Sequence, residues 1–188
     1  MILGRCSVSC NDGDVPQSDP LRPLFDAAIE GDDVAMAELV RRTQADLWRL
    51  CTSLGSRGEV EDLVQETYAR AVRAAPRYRG DAPVRAWLLA IGRNVCADHV
   101  RKRERQRRLI RRIIPSVEEH ALDGDGSLGS LLDALDPDRR EAFVLTQVMG
   151  MSYDEAAETL GCPIGTIRSR VARGRADLIA AVRRSQAV

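Results

Sequence analysis

Between Val84 and His99 the chain repeats its buried-type side chains at helical spacing: Val84, Trp87, Leu88, Ile91 and Val95, closing on His99. A stripe that follows the 3.6-residue period this closely requires a helix with one face packed against something else. Similar stripes precede it. Val60, Leu63, Val64, Thr67, Tyr68, Ala71 and Val72 form one that stops before Pro76. Leu24, Ala27 and Ala28, then Val34, Leu39 and Val40, form a pair broken at Gly31-Asp32-Asp33, and Leu47, Leu50, Cys51 and Leu54 carry the second member to Gly55. Alternating β-branched runs are absent, aromatic residues are only 4% of the chain, and Ala, Leu, Arg and Glu dominate. These are good helix formers, so the pattern predicts an all-α protein.

Two interruptions divide the helical pattern. Pro76 to Pro83 is a loop by its Pro and Gly content, and Pro115 to Leu128 is acidic, Gly-containing and without a stripe. The second reads as a flexible linker between two small helical domains. The expected organisation is a disordered tail over residues 1–20, a first domain over 21–110, a linker over 111–129 and a second domain over 130–185. The 188 residues and 44% apolar content suffice for two such cores.

Charge is distributed in blocks that the net value of zero conceals. Residues 11–38 hold eight acids against Arg22 alone, and residues 101–112 hold eight basic residues against Glu104. Residues 115–138 carry seven acids and no Lys or Arg, and Pro163 to Arg184 has six Arg against Asp177. Solvated helix faces explain any one block, but two separate basic patches suit a polyanionic partner better. The basic residues are 27 Arg and one Lys, a bias of composition that argues against reading every Arg as a contact.

Several function classes are disfavoured. Cys6, Cys10, Cys51, Cys96 and Cys162 are odd in number and scattered, which fits no disulfide framework and suits a reducing cytoplasm. Cys6 and Cys10 are four apart and Cys96 and His99 three apart, but neither is matched by a second pair at zinc-finger spacing, so no metal and no cofactor is expected. No apolar stretch approaches the ~20 residues of a membrane span, and the MILGRC start is too soon interrupted by Asn11, Asp12 and Asp14 to read as a signal peptide. Two His, no Gly-rich phosphate loop and no nucleophile motif leave little for an enzyme.

The second domain reads as four short helices. Leu131 to Leu135 form the first, and Asp136 as N-cap with Pro137 as first residue opens another through Phe143, Val144 and Val148, ending at Gly150. Ser152 and Glu155 have capping-box spacing, with Ala156, Ala157 and Leu160 as the buried face. Gly161 breaks the chain, and a last helix starts near Pro163 with Ile164, Ile167, Val171, Leu178 and Val182 inward. Ser169 and Arg173 then lie farthest from the apolar line and Arg168 and Arg170 on its flanks. A helix, a tight turn and a second helix bearing outward arginines is the form that enters a DNA major groove, although a solvated helical hairpin has the same outline.

The segment LTQVMGMSYDEAAETLGCPIGTIRSRVARGRADL, Leu145 to Leu178, resembles the DNA-binding domain of extracytoplasmic-function sigma factors of the sigma-70 family. EDLVQETYARAV, Glu61 to Val72, resembles their polymerase-binding helix, and RAWLLAIGRNVCADHVRKR, Arg85 to Arg103, their promoter-melting helix. Together the matches span Leu24 to Arg184, with wording most like the actinobacterial sigma-C-like members. The resemblance implies a non-enzymatic subunit that binds core RNA polymerase and directs initiation at promoter DNA.

Roles follow from the same resemblance. Asp62, Gln65 and Glu66 are implied to face the basic coiled coil of the polymerase β′ subunit, with the second domain on the β flap. Arg79, Gly80 and Asp81, with Asn94, Asp98, Arg93, Arg101 and Arg103, are implied to read and hold the melting minus-ten element. Thr166, Arg168, Ser169, Ala172 and Arg173 are implied to read the minus-thirty-five element. Ala172 is small where many members carry a bulkier residue, and Thr146 and Gln147 stand where some use Arg on phosphate, so the promoter sequence is left open. Trp87 resembles a stacking wedge, but it falls on the apolar stripe and reads as core. The acidic linker is implied to thread the polymerase cleft, and an anti-sigma factor is an implied partner, since many relatives have one. The rival reading is a conventional helix-turn-helix repressor that binds duplex operator as a dimer without polymerase. The matches at Asp62, Gln65, Glu66 and Asn94 argue against it.

Overall fold

The computed structural model describes residues 19–113 and 128–185, and the elements among them are helices and short helical turns, with no strand. Helix α1 (Arg22–Ile29) has Pro in its first turn, where the missing N–H costs nothing. Helix α2 (Asp33–Leu54) is capped by Asp32, whose carboxylate accepts the N–H groups of Val34 at 2.8 Å and Ala35 at 3.0 Å. Helix α3 (Val60–Ala74) ends in a 3₁₀ turn, Ala75–Arg77, that carries Pro76. Helix α4 (Val84–Ile113) is a single run of 30 residues, buried over its first turns and exposed from Val100 to Ile110 apart from the half-buried Arg103.

The apolar stripes of α1 to α4 meet in one bundle. Phe25, Ala28, Leu39, Ala71, Val84 and Leu88 pack at the α1 end. Leu47, Leu50, Leu63, Val64, Leu89 and Val95 fill the other. Helices α2 and α4 cross closely at Gly92, where a Cβ would lie 3.0 Å from a Leu50 methyl and 3.3 Å from a Leu47 methyl. Asp19 was read from sequence as part of a tail, yet it has a structural task. Its carboxylate accepts the N–H of Leu21 at 3.0 Å and the N–H of Val84 at 2.6 Å, capping α4 from 65 residues away. The other expected tail residues lie outside the described ones.

The second unit begins with α5 (Leu128–Asp133) and α6 (Pro137–Phe143), the latter capped by Asp136, which accepts from the Asp138 N–H at 3.1 Å. From Val144 to Val148 the helix widens by one residue per turn, and the Met149 N–H donates to Val144 O at 2.9 Å. Helix α7 (Tyr153–Leu160) has the expected capping box: Glu155 N–H to Ser152 Oγ at 3.1 Å, and Ser152 N–H to Glu155 Oε2 at 2.7 Å. Gly161, at φ +60°, makes the left-handed turn into α8 (Ile164–Ser185), a 22-residue helix that carries the expected inward line from Ile164 to Val182. Helix α4 is described to Ile113 and α5 from Leu128, and most of the expected linker over residues 111–129 lies outside the described residues.

The two units touch. One apolar cluster runs without a break from Leu47, Leu50 and Cys96 to Leu135, Val144, Leu145 and Met149. Arg140 Nε donates to Ser53 O at 2.7 Å and Arg85 Nη2 to Met149 O at 2.8 Å, each across the seam.

Candidate nucleic-acid interface

Helix α3 sets Asp62, Gln65 and Glu66 on one side through spacings of three and four. Asp62 and Gln65 are exposed, and Gln65 Nε2 donates weakly to Glu61 at 3.4 Å. Glu66 is different. It accepts from Arg70 Nε at 2.7 Å and pairs with Arg73 at 3.4 Å, while Arg70 Nη1 reaches across to Asp98 of α4 at 2.8 Å. The Arg70 hydrogen bonds hold both carboxyls below the usual carboxylate range, and the two acids in turn raise Arg70. A cleft of about 280 Å³ between the two helices gathers Asp62, Glu66, Asp98 and Lys102. The free negative charge on this side is therefore Asp62, with Glu61 beside it, while Glu66 is largely compensated.

The Arg79-Gly80-Asp81 loop is exposed and rests on an aromatic base. Phe25, Tyr78 and Trp87 meet with ring centroids 4.9 to 5.3 Å apart. Tyr78 Oη donates to Ala82 O at 2.5 Å, closing the turn, and Arg22 lies over the Tyr78 ring at 5.3 Å. Gly80 has φ +83°, a backbone conformation that favours glycine, while a Cβ there would meet only the movable end of Arg22, its Nη1 at 2.5 Å. Trp87 is half-buried in this base, in agreement with a core role.

Helix α4 distributes its candidate residues over different faces. Asn94 is exposed, and its Oδ1 accepts from Arg93 Nη1 at 3.0 Å. Asp98 faces α3 through Arg70, with Arg101 at 3.5 Å, and Arg103 pairs with Glu59 at 3.2 Å. Arg93 turns instead toward the second unit, its Nη2 2.5 Å from Glu141 Oε2. Among the described residues no hydrogen bond or ion pair joins the 79–81 loop to Asn94, so the expected base pocket is not assembled by direct contact.

The arginines of the helix-turn-helix divide by what they hold. Arg170 is committed to Asp138 and Arg175 donates to Gln147 Oε1 at 3.0 Å, while Arg139 pairs with Asp177 at 2.7 Å. These knit α8 to α6. Arg168, Ala172 and Arg173 are exposed, and neither Arg168 nor Arg173 has an ion-pair or hydrogen-bond partner among the described residues. Ser169 is exposed with its Oγ donating to Thr166 O at 2.9 Å, and Thr166 is half-buried. The candidate reading face is thus open and carries two unspent guanidiniums. Thr146 is buried with its hydroxyl on Ala142 O at 2.8 Å, which removes it as a phosphate contact. Spacing alone missed Arg70, Arg140 and Glu141. The Glu66–Arg70 pair was visible as an i,i+4 match, whereas the partners of the other two lie on another element.

No described helix is long and apolar enough to cross a membrane, and no three His, Cys, Asp or Glu among the described residues are grouped to hold a metal. Comparison with known proteins gives two family matches, in chain order: Sigma-70 region 2 over residues 39–106 and Sigma-70, region 4 over residues 125–178. The ECF RNA polymerase sigma factor SigC of Mycobacterium tuberculosis is 42% identical over 163 residues, covering 82% of this chain and 86% of that protein. Among solved structures, CnrH in complex with the cytosolic domain of CnrY superposes with a TM-score of 0.66 at 34% identity, covering 86% of this chain and 96% of the other. RpoE in complex with the anti-sigma factor NepR from Bartonella quintana superposes at 0.65 with 33% identity, covering 79% and 96%. Both helical units are matched in order, and similarity of this degree extends over most of the chain: the protein belongs to the extracytoplasmic-function sigma factors of the sigma-70 family, which act in transcription initiation.

Proposed function

We propose that the chain binds core RNA polymerase and selects promoters through two readers, α8 for the minus-thirty-five element and the α4 face with the 79–81 loop for the minus-ten element. The observation that carries this reading is the sorting of arginines on α8. Arg170 and Arg175 are spent on internal partners, while Arg168 and Arg173 stand free beside Ser169 on the exposed side. A free guanidinium on a helix that fits the major groove is the group best able to take two acceptors of a guanine or to grip phosphate. Ala172 contributes at most an apolar contact between them.

In the first unit, Asp62 and Gln65, with Glu66 held beside Arg70, would meet a basic surface of the polymerase β′ subunit. Charge there favours encounter and orientation more than affinity. Asn94 and the Arg79-Gly80-Asp81 loop would take bases of the strand as it separates, at a flipping cost of a few kcal/mol. Arg93, Arg101 and Arg103 would hold its phosphates, which fixes position without reading sequence. The second unit would also seat on the β flap. Neither unit has surface enough to bind promoter tightly alone, so affinity arises from joining them on the polymerase. The similar structures cited above are complexes with CnrY and with the anti-sigma factor NepR, which supports an anti-sigma partner for this chain.

Run-off transcription with purified core polymerase and promoter fragments from the source genome tests the proposal. A transcript of defined start, dependent on both chain and core, is the expected result. Tight dimeric binding to intact duplex, with no effect of core, would support a repressor instead.

A further inference from the structure

Two thiols face each other across the close crossing of α2 and α4, and promoter reading uses neither. The two helices run in the same direction, and their contacts climb in step. Asp46 binds Arg85, the Leu47 and Leu50 methyls close on Gly92, and Leu54 shares a cleft wall with Cys96 and Ala97. Cys51 lies between Leu50 and Leu54 in this register, and Cys96 lies one turn beyond Gly92, so the ladder sets one sulfur opposite the other. Both side chains are buried in the same apolar cluster. A hydrogen bond between the thiols pulls Cys51 below the ordinary thiol range and, together with burial, pushes Cys96 above it.

We propose that Cys51 and Cys96 form a reversible oxidation site: a small peroxide converts the two thiols to a disulfide that ties α2 to α4, the helix carrying Asn94 and Asp98. A buried cysteine is ordinarily inert apolar filling. Here each thiol has a second within reach. A disulfide needs Cα atoms within about 7 Å and Cβ bonds that point together, a condition suited to residues facing each other across a close helix pair. Burial turns bulky reagents away, which narrows the oxidant to a small neutral molecule of the hydrogen peroxide class. Cys96 gives it a route, because this residue forms part of the wall of a cleft of about 370 Å³ between α4 and α6, and Cys51 lies beside it.

The Cys51 thiol, the more acidic of the two, reacts as thiolate. Its sulfur attacks one peroxide oxygen, the O–O bond breaks, and the departing hydroxide takes up the thiol proton as water. The Cys96 sulfur then attacks the sulfur of the Cys51 sulfenic acid. The S–S bond closes, and the sulfenic hydroxyl leaves with the Cys96 proton as a second water. The two thiols lose two electrons, and one peroxide gains them.

The test uses the full chain with Cys6→Ser, Cys10→Ser and Cys162→Ser, which leaves the buried pair alone and alters neither member. The folded chain is exposed to hydrogen peroxide, quenched with catalase, unfolded in N-ethylmaleimide and mapped by mass spectrometry. The expected product is a monomer that takes up no maleimide. Its protease map should join the peptides bearing Cys51 and Cys96, two hydrogens lighter than their sum, and dithiothreitol should restore two alkylatable thiols. The wild-type chain should give the same link, which guards against a folding defect in the triple variant. Retention of both thiols after an exposure that oxidises Cys162 in the wild-type chain would overturn the proposal. So would sulfinic or sulfonic acid at either position without a link, or a link found only between molecules.

Discussion

Arg168, Arg170 and Arg173 are equivalent in sequence and differ in the fold. Helical spacing put all three on or near the outer side of α8, and that much was legible. What it could not show is that Asp138, 32 residues earlier, takes Arg170, because the partner is set by how α6 crosses α8. Competition binding should separate them. Arg168→Ala and Arg173→Ala each should cost about 1–3 kcal/mol on the minus-thirty-five duplex and relax base preference where they read. Arg170→Ala should leave base preference intact and lower unfolding stability by up to about 1 kcal/mol, since Asp138 is well exposed. On α3, the exposed Asp62 and Gln65 have no part in the core. Asp62→Arg with Gln65→Ala should abolish association with core polymerase in a pull-down while leaving the thermal unfolding curve unchanged. Glu66 belongs to a different class, since its charge is shared with Arg70, and the α4 half of that bridge could not be read from α3 alone.

At the level of elements, the stripes predicted each helix from α1 to α4, because amphipathic periodicity is a local property of the chain. Caps were legible for the same reason: Asp136 and the Ser152–Glu155 box lie beside the helices they start. The capping of α4 by Asp19 was not, since donor and acceptor are 65 residues apart. Nor was the widened turn at Val144–Val148, which no Pro or Gly marks within it. Gly92 reads in sequence as a mere weakness in the best helix of the chain. Its reason is the close crossing of α2 over α4, where Leu50 and Leu47 leave no room for a branched side chain. Gly92→Val should therefore destabilise the first unit by about 1–3 kcal/mol despite removing a glycine from a helix, read as a lower urea midpoint at unchanged slope.

Over the whole molecule, two domains were read correctly as helical, but the seam joining them was invisible, because its apolar residues lie on stripes that local periodicity assigns to two separate cores and its hydrogen bonds join distant elements. Asp46 is part of its support: it binds Arg85, which reaches Met149 O in the second unit. Burial pushes the Asp46 carboxyl up, but hydrogen bonds from Arg85 and Arg49 together outweigh it and hold the group below the usual range. A depressed carboxylate lends stability that is fully present above its unfolded value, about 4, and is lost as pH falls through the folded value. The urea midpoint should accordingly be level from about pH 7 to 5 and decline below about 4, and Asp46→Asn should flatten that acid limb. The central claim, that this chain opens promoters only as part of the polymerase, is tested most directly by permanganate reactivity of thymines in the minus-ten element. Chain and core together should make those thymines reactive, with neither sufficient alone. Unreactive thymines in the joint mixture, alongside firm binding of intact duplex by the chain itself, would contradict it.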